Sequence, residues 1–205
     1  MTANYFGEIA FIDHGVGRIL GRLDELGLAA NTLAVFTADH GELLGDHGLY
    51  LKGPTPYEGL LKVGLIVQGP GVEAGRDVPD PVSTVDLAAT FYDYAGIDCP
   101  EDIQSRSLKP VMQGGEGRDV AYSEWNLHPS RAGVELQLRT VRTAEAKLTV
   151  DLLSGVGEMY DLANDPDEMD NLFDDAGHRG LRRELTDMIR ARPGTVLSEF
   201  PEHRE

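Results

Sequence analysis

The sequence contains one cysteine, Cys99, which rules out an internal disulfide and any zinc cluster built on cysteines. Basic side chains are scarce as well. Lys and Arg number 18 against 35 Asp and Glu, a formal net charge of −17 over 205 residues. A surface of that sign repels nucleic acid and anionic membranes, so neither is expected as a partner. No apolar run reaches membrane-spanning length, and the amino terminus lacks the basic-then-apolar layout of a secretory leader. The default expectation is therefore a cytoplasmic chain, with a secreted or periplasmic location left for the case of a natural start lying upstream. Internal repeats and low-complexity tracts are absent too. Against these absences stands an apolar fraction of 41%, ordinary for a soluble protein and sufficient, at this length, for a real core.

What the chain does have is concentrated between Leu33 and Gly53. The apolar run Leu33 to Phe36 predicts a parallel strand buried on both faces, and it stops at Thr37-Ala38-Asp39-His40-Gly41. A carboxylate and an imidazole thus stand together just past a strand end, where open α/β sheets bind ligands. A second Asp-His-Gly follows at Asp46 to Gly48, then Lys52-Gly53. Asp39 offers hard oxygen ligands to a divalent ion, and His40 either ligates or hydrogen-bonds nearby. The compact charge of Lys52 suits a tetrahedral oxyanion such as sulfate or phosphate. Two ligands are too few for a metal cage, so further carboxylates must come from elsewhere.

Around this stretch the periodicity predicts a helix from Tyr5 to Leu26, with Ile9, Ile12, Val16, Ile19, Leu23 and Leu26 on one stripe and Gly27 as its stop. Gly15, Gly17 and Gly21 read as places where this helix lies against a neighbour or flexes. Val63 to Val67 predicts a second buried strand in a sheet packed between helices. Ser83-Thr84 predicts the cap of a helix over Val85 to Ala95, with Asp86 favouring the helix dipole, Leu87, Phe91 and Tyr94 on the apolar stripe, and Gly96 as the stop. Beyond Gly114-Gly115 shorter alternating runs predict an antiparallel sheet with one wet face: Val120 to Trp125, Leu136 to Val141, Lys147 to Asp151 and Glu158 to Leu162. Asp165-Pro166 reads as a turn and helix start, Leu181 to Ile189 as a closing amphipathic helix, and the residues after Pro193-Gly194 as loosely held. The division expected is 1–114 for an α/β portion and 115–205 for a small α+β subdomain.

Thr37 to Gly48 with Lys52-Gly53 resembles the second half of a type I sulfatase, in the alkaline-phosphatase superfamily. So do Ile12 to Leu20, Val85 to Ile97, Arg106-Ser107-Leu108, and the closing stretch Met159-Tyr160-Asp161-Leu162, Asn164 to Glu168 and Asn171-Leu172. One Asp-His-Gly is a weak motif; four matching segments in order are a strong one. The resemblance implies part of an alkaline-phosphatase-like sheet sandwiched by helices, then a small antiparallel sheet with a terminal helix. It implies that Asp39 is a metal ligand, of calcium in most of the family, with magnesium or manganese as alternatives. It places His40 as ligand or sulfate contact, Lys52 on a sulfate oxygen and the leaving group, and His47 as a lesser substrate contact. Glu42 and Asp46 are implied to shape the loop, and Gly41, Gly45 and Gly48 to allow close approach or positive φ.

The departure from the family is as informative. Type I sulfatases attack sulfur through a formylglycine made in a Cys/Ser-x-Pro-x-Arg motif, and no such motif occurs here. Cys99 is followed directly by Pro100 and lacks the arginine, so it reads as an ordinary loop or core residue. The expectation is a carboxyl-terminal portion of a sulfatase, inactive alone and dependent on a missing amino-terminal half in cis or in trans. Its substrate would be a sulfate ester, small molecule or glycan. The competing readings are a phosphonate monoester or phosphodiester hydrolase of the same superfamily, and a non-catalytic fragment or interaction module.

Overall fold

The computed structural model describes residues 1–192, so the segment after Pro193-Gly194 expected to be loosely held lies outside the described residues. The elements in order are α1 (Thr2–Glu25), β1 (Ala34–Thr37), α2 (Glu58–Leu61), β2 (Leu65–Gln68), α3 (Asp86–Ala95), α4 (Lys109–Met112), β3 (Ala121–Leu127), α5 (Pro129–Ala132), β4 (Leu136–Arg142), β5 (Ala146–Asp151), β6 (Gly157–Asp161) and α6 (Arg179–Ala191). An α/β portion is thus followed by a four-stranded antiparallel sheet, order β3-β4-β5-β6, and a closing helix. The expected architecture stands.

The antiparallel sheet carries the main core. Val141, Leu148 and Met159 on successive strands are 0% exposed, and α6 lays Leu185 and Ile189 over them at helical spacing. The opposite face is not the wet face that alternation suggested. Thr140, Lys147, Thr149 and Asp151 are buried there, each with polar partners, which for Lys147 come from distant segments. Thr140 and Thr149 bond each other across the strands at 2.8 Å. Asp151 caps the β5–β6 turn, accepting from Ser154 Oγ–H and from the N–H groups of Gln137 and Ser154. Asp165 also differs from expectation: it closes a turn around Met169 and Asp170, and no helix starts there.

In the α/β portion three expectations are corrected. First, β1 and β2 pair antiparallel, Ala34 against Gln68 and Thr37 against Leu65, and this sheet has two strands among the described residues. Phe36 and Ile66 are consequently 44% and 66% exposed rather than buried on both faces. Second, α1 forms and stops as its sequence dictates, with Gly27 at φ +67° and the Leu28 N–H returning to Leu23 O, yet none of its residues is buried. Nothing lies within 4 Å of where a side chain at Gly15, Gly17 or Gly21 would begin. Third, α3 packs Leu87 and Tyr94 of its expected stripe against Leu108, Val111 and Met112, but it buries a polar face beside them and leaves the third stripe residue outside. Asp86, Ala89 and Thr90 are buried and Phe91 is 49% exposed. That polar face can go inside because the groups of Asp86 and Thr90 are matched. Asp86 accepts from the Ser83 and Arg106 N–H groups and pairs with Arg118, while Thr90 Oγ–H donates to Asp86 O and its oxygen accepts from Leu108 N–H. Asp86 thus sits in the first turn of α3, as expected, and is also a buried tie to the next loop.

Candidate active site

The loop leaving β1 is fixed by its own acids and glycines. Glu42 turns its carboxylate back onto the N–H groups of Leu44 and Leu51, closing the ends of the loop on each other. Leu44, His47 and Leu51 all take left-handed φ, at +49°, +53° and +65°, a costly conformation for side chains of that size and one that a loop keeps only when pinned. Gly45 and Gly48 supply φ of +114° and +73°. Gly41 does something different. A Cβ there would sit 1.9 Å from the Gly59 carbonyl oxygen, so only glycine lets the loop press on α2, where the Gly41 N–H donates to Leu60 O at 2.9 Å. Cys99 is free and half-buried in a loop.

On this frame the structure brings Asp39, His40 and Lys52 together. Lys52 Nζ lies 2.6 Å from His40 Nε2, and Asp39 Oδ2 lies 3.6 Å from the same nitrogen. His40 Nδ1 meets the Gly41 carbonyl at 2.8 Å. A carbonyl only accepts, so Nδ1 carries the proton and Nε2 offers its lone pair to the Lys52 ammonium. The imidazole is therefore the neutral Nδ1–H tautomer, held at both ends. Asp39 is the open member, its side chain 88% exposed, and its Oδ1 accepts from the His40 N–H at 3.1 Å. His47 faces elsewhere: its ring stacks on Tyr57 at 3.7 Å and 8°. Asp39 and His40 line an open cleft of about 1820 Å³ whose walls include Glu58, Trp125 and Arg142.

A buried polar cluster that the sequence did not reveal shares Glu58 and Arg142 with the walls of this cleft. Lys147, 1% exposed on β5, donates to Pro56 O at 2.7 Å and forms ion pairs with Glu168 and, at 3.7 Å, with Glu58. Glu168 Oε1 meets that ammonium as a charge pair off the hydrogen-bond direction, while its Oε2 accepts from Glu58 N–H at 2.7 Å. Arg142 reaches Glu58 at 3.2 Å. Burial, with the Glu158 carboxylate adding to it, pushes the Tyr57 phenol up and holds its neighbour Tyr160 far above the ordinary phenol range. The partners of Lys147 are 91 residues away in one direction and 21 in the other (147 − 56 and 168 − 147), which is why no local pattern signals them.

The donor chemistry around Nε2 sets what this chain can offer a divalent ion. Asp39 provides exposed carboxylate oxygens, and His40 a single ring nitrogen that faces Lys52 at 2.6 Å. Among the described residues no group of three or more His, Cys, Asp or Glu side chains could hold a metal. The residues fit one edge of a metal site rather than a whole one. Among the same residues no helix is long and apolar enough to cross a membrane.

Comparison with known proteins shows the family and the fold. The family described as N-sulphoglucosamine sulphohydrolase, C-terminal, matches residues 45–193. The N-acetylglucosamine-6-O-sulfatase of Bacteroides thetaiotaomicron is 31% identical over 210 residues, covering 98% of this chain and 37% of its own length. A solved structure holding its substrate D-glucosamine-2-N,6-O-disulfate superposes with a TM-score of 0.77 at 33% identity, covering 89% of this chain and 38% of that one. The phosphonate monoester hydrolase of Agrobacterium radiobacter superposes with a TM-score of 0.81 at 30% identity, covering 91% of this chain and 40% of that one. The chain spans less than half the length of each. By the matched family, the shared fold and the order of its segments, the chain belongs to the type I sulfatases of the alkaline-phosphatase superfamily, whose carboxyl-terminal portion it resembles.

Proposed function

We propose that this chain supplies the cationic, metal-proximal side of a sulfuric ester hydrolase site, and that a segment bearing the formylglycine motif supplies the nucleophile. The observation that carries the reading is the Lys52 Nζ to His40 Nε2 contact of 2.6 Å with Asp39 Oδ2 beside it. An ammonium oriented by a neutral imidazole is built to hold a sulfate oxygen and to stabilise charge on the leaving oxygen. The nitrogen lone pair cannot serve Lys52 and a cation together. The roles therefore divide: Asp39 is this chain's metal ligand, and His40 aims Lys52. A divalent ion bound there, calcium by family, would act as a Lewis acid on the ester oxygens. His47, stacked on Tyr57, contributes to the loop's shape more than to substrate contact. In this reading residues 1–114 are the share of the catalytic domain and 115–205 the subdomain that braces it.

A sulfated glycan or aryl sulfate is the favoured substrate class, supported by the relatives named for sulfatase activity and the solved structure with a disulfated glucosamine. The superposition on a phosphonate monoester hydrolase favours a second reading, since Asp39, His40 and Lys52 would serve a phosphonate ester equally. Nitrophenyl sulfate and nitrophenyl phenylphosphonate, assayed with the chain joined to or mixed with a formylglycine-bearing segment, distinguish the two. Faster sulfate turnover is expected. In that protein Lys52→Ala lowers turnover by about 100-fold or more, the scale of losing one charge-stabilising donor. Asp39→Ala loses calcium binding by calorimetry along with turnover. Full activity in either variant would mean that other residues carry the reaction.

A further inference from the structure

The geometry points to Lys147 and Glu168 as positioning residues for the His40–Lys52 pair, acting through the Pro56–Leu60 segment. This inference rests on the reading that His40 and Lys52 carry the site's chemistry, and it adds Lys147, on β5 of the other sheet, and Glu168, in the loop after β6.

The connection can be followed bond by bond. Lys147 Nζ donates to Pro56 O at 2.7 Å, and Glu168 Oε2 accepts from Glu58 N–H at 2.7 Å. These two backbone atoms lie on either side of Tyr57, so the ion pair grips the chain at the entrance to α2. Going backward, Pro56 is four residues past Lys52, and two of the intervening steps are stiffened by Pro54 and Pro56, whose φ angles are fixed. Holding Pro56 therefore sets where the Lys52 backbone starts. Going forward, α2 ends at Leu61, and its Leu60 O takes the Gly41 N–H at 2.9 Å, with the Gly59 carbonyl occupying the place of a Gly41 side chain. Gly41 O in turn receives His40 Nδ1–H at 2.8 Å. Both partners of the 2.6 Å contact hang from one anchored segment, one from each end.

A purely structural role is the weaker account of the pair. Burying two charges is costly, and apolar residues of similar volume fill such positions as well or better. What Lys147 and Glu168 do that apolar side chains cannot is bind those particular backbone atoms. The surroundings are built to keep them in place. Glu58 lies 3.7 Å from Lys147, Arg142 neutralises Glu58 from the other side, and the Tyr160 ring sits 5.9 Å from the ammonium. Glu168 itself adopts φ +57°, a conformation its two contacts hold it in.

The test uses the chain as it is, with nitrogen-labelled histidine and the His40 signals assigned through His40→Gln. With the rings neutral, wild-type His40 is expected to show the Nδ1–H tautomer. In Lys147→Met with Glu168→Leu, the expected result is loss of that signature toward the exchange-averaged shifts of free imidazole, while the amide signals of β4 and β5 stay in place. A folded double variant with wild-type His40 shifts overturns the proposal. Should that pair fail to fold, Lys147→Gln with Glu168→Ala leaves a neutral side chain too short at 147 to reach Pro56 O and no side-chain acceptor at 168 for Glu58 N–H. The same loss is expected there, and an unchanged His40 tautomer overturns the proposal equally. Because the readout involves no hydrolysis, its failure is separable from failure of the sulfatase reading, which the nitrophenyl assays decide.

Discussion

At the scale of single residues, the structure shows charges placed where folding must desolvate them and then repaid by directed hydrogen bonds. Asp151 is the case with a measurable consequence. Burial alone would raise its carboxyl, but hydrogen bonds from Ser154 Oγ–H and from the Gln137, Ser154 and Leu153 N–H groups outweigh that and hold it below the ordinary aspartate value. A depressed folded-state pKa means the unfolded chain takes up its proton first as pH drops. The stabilisation is complete above the unfolded value near 3.8 and is lost as pH falls through the lower, folded one. The melting temperature of the wild type is expected to drop through that acid range, and that of Asp151→Asn to start lower at neutral pH and drop less. Parallel curves for the two proteins would show that Asp151 does not carry this linkage.

At the scale of elements, stability is concentrated where β4, β5, β6 and α6 meet. Val141, Leu148, Met159, Leu185 and Ile189 form one dry cluster. Leu148→Ala, which opens a cavity at a fully buried central-strand position, is expected to lower unfolding free energy by about 2–5 kcal/mol in urea titration. A loss below about 1 kcal/mol would place the core elsewhere. The strands of this sheet were legible to within a residue or two, because alternation between turn signals is a local property. Which face would be wet was not legible, since the burial of Lys147 depends on Pro56, Glu58 and Glu168, remote in sequence, and that of Thr149 on Thr140 of the neighbouring strand. The same limit explains α3. Its period and its Gly96 stop were readable, but Asp86 and Thr90 go inward because Ser83, Arg106, Leu108 and Arg118 wait there with matching groups.

At the scale of the whole molecule, burial is unevenly distributed. The α6-covered sheet is dense, while α1 has no buried residue and leaves Phe6, Phe11 and Ile19 more than 60% exposed. A lone helix of this kind gains little beyond its own hydrogen bonds, and such helices are marginal in water. Hydrogen exchange should therefore show the amides of residues 2–25 exchanging orders of magnitude faster than those of β4 and β5. Equal protection in both regions would mean that the apolar stripe of α1 is covered in solution. The two strands β1 and β2, each paired on one side, are expected among the next regions to open.

Sequence alone determined the periods, stops and strand limits, and it placed an acid, an imidazole and an ammonium on one glycine-rich loop, because helix and strand patterns and turn chemistry are encoded within a few residues. Only tertiary structure decided that β1 and β2 run antiparallel, that α1 stands uncovered, and that His40 Nε2 faces Lys52 Nζ at 2.6 Å. Those outcomes depend on distances between groups far apart in the chain. The Lys147–Glu168 anchor depends on the same kind of distance, for a buried charge takes its position from partners that no local stretch of sequence can name.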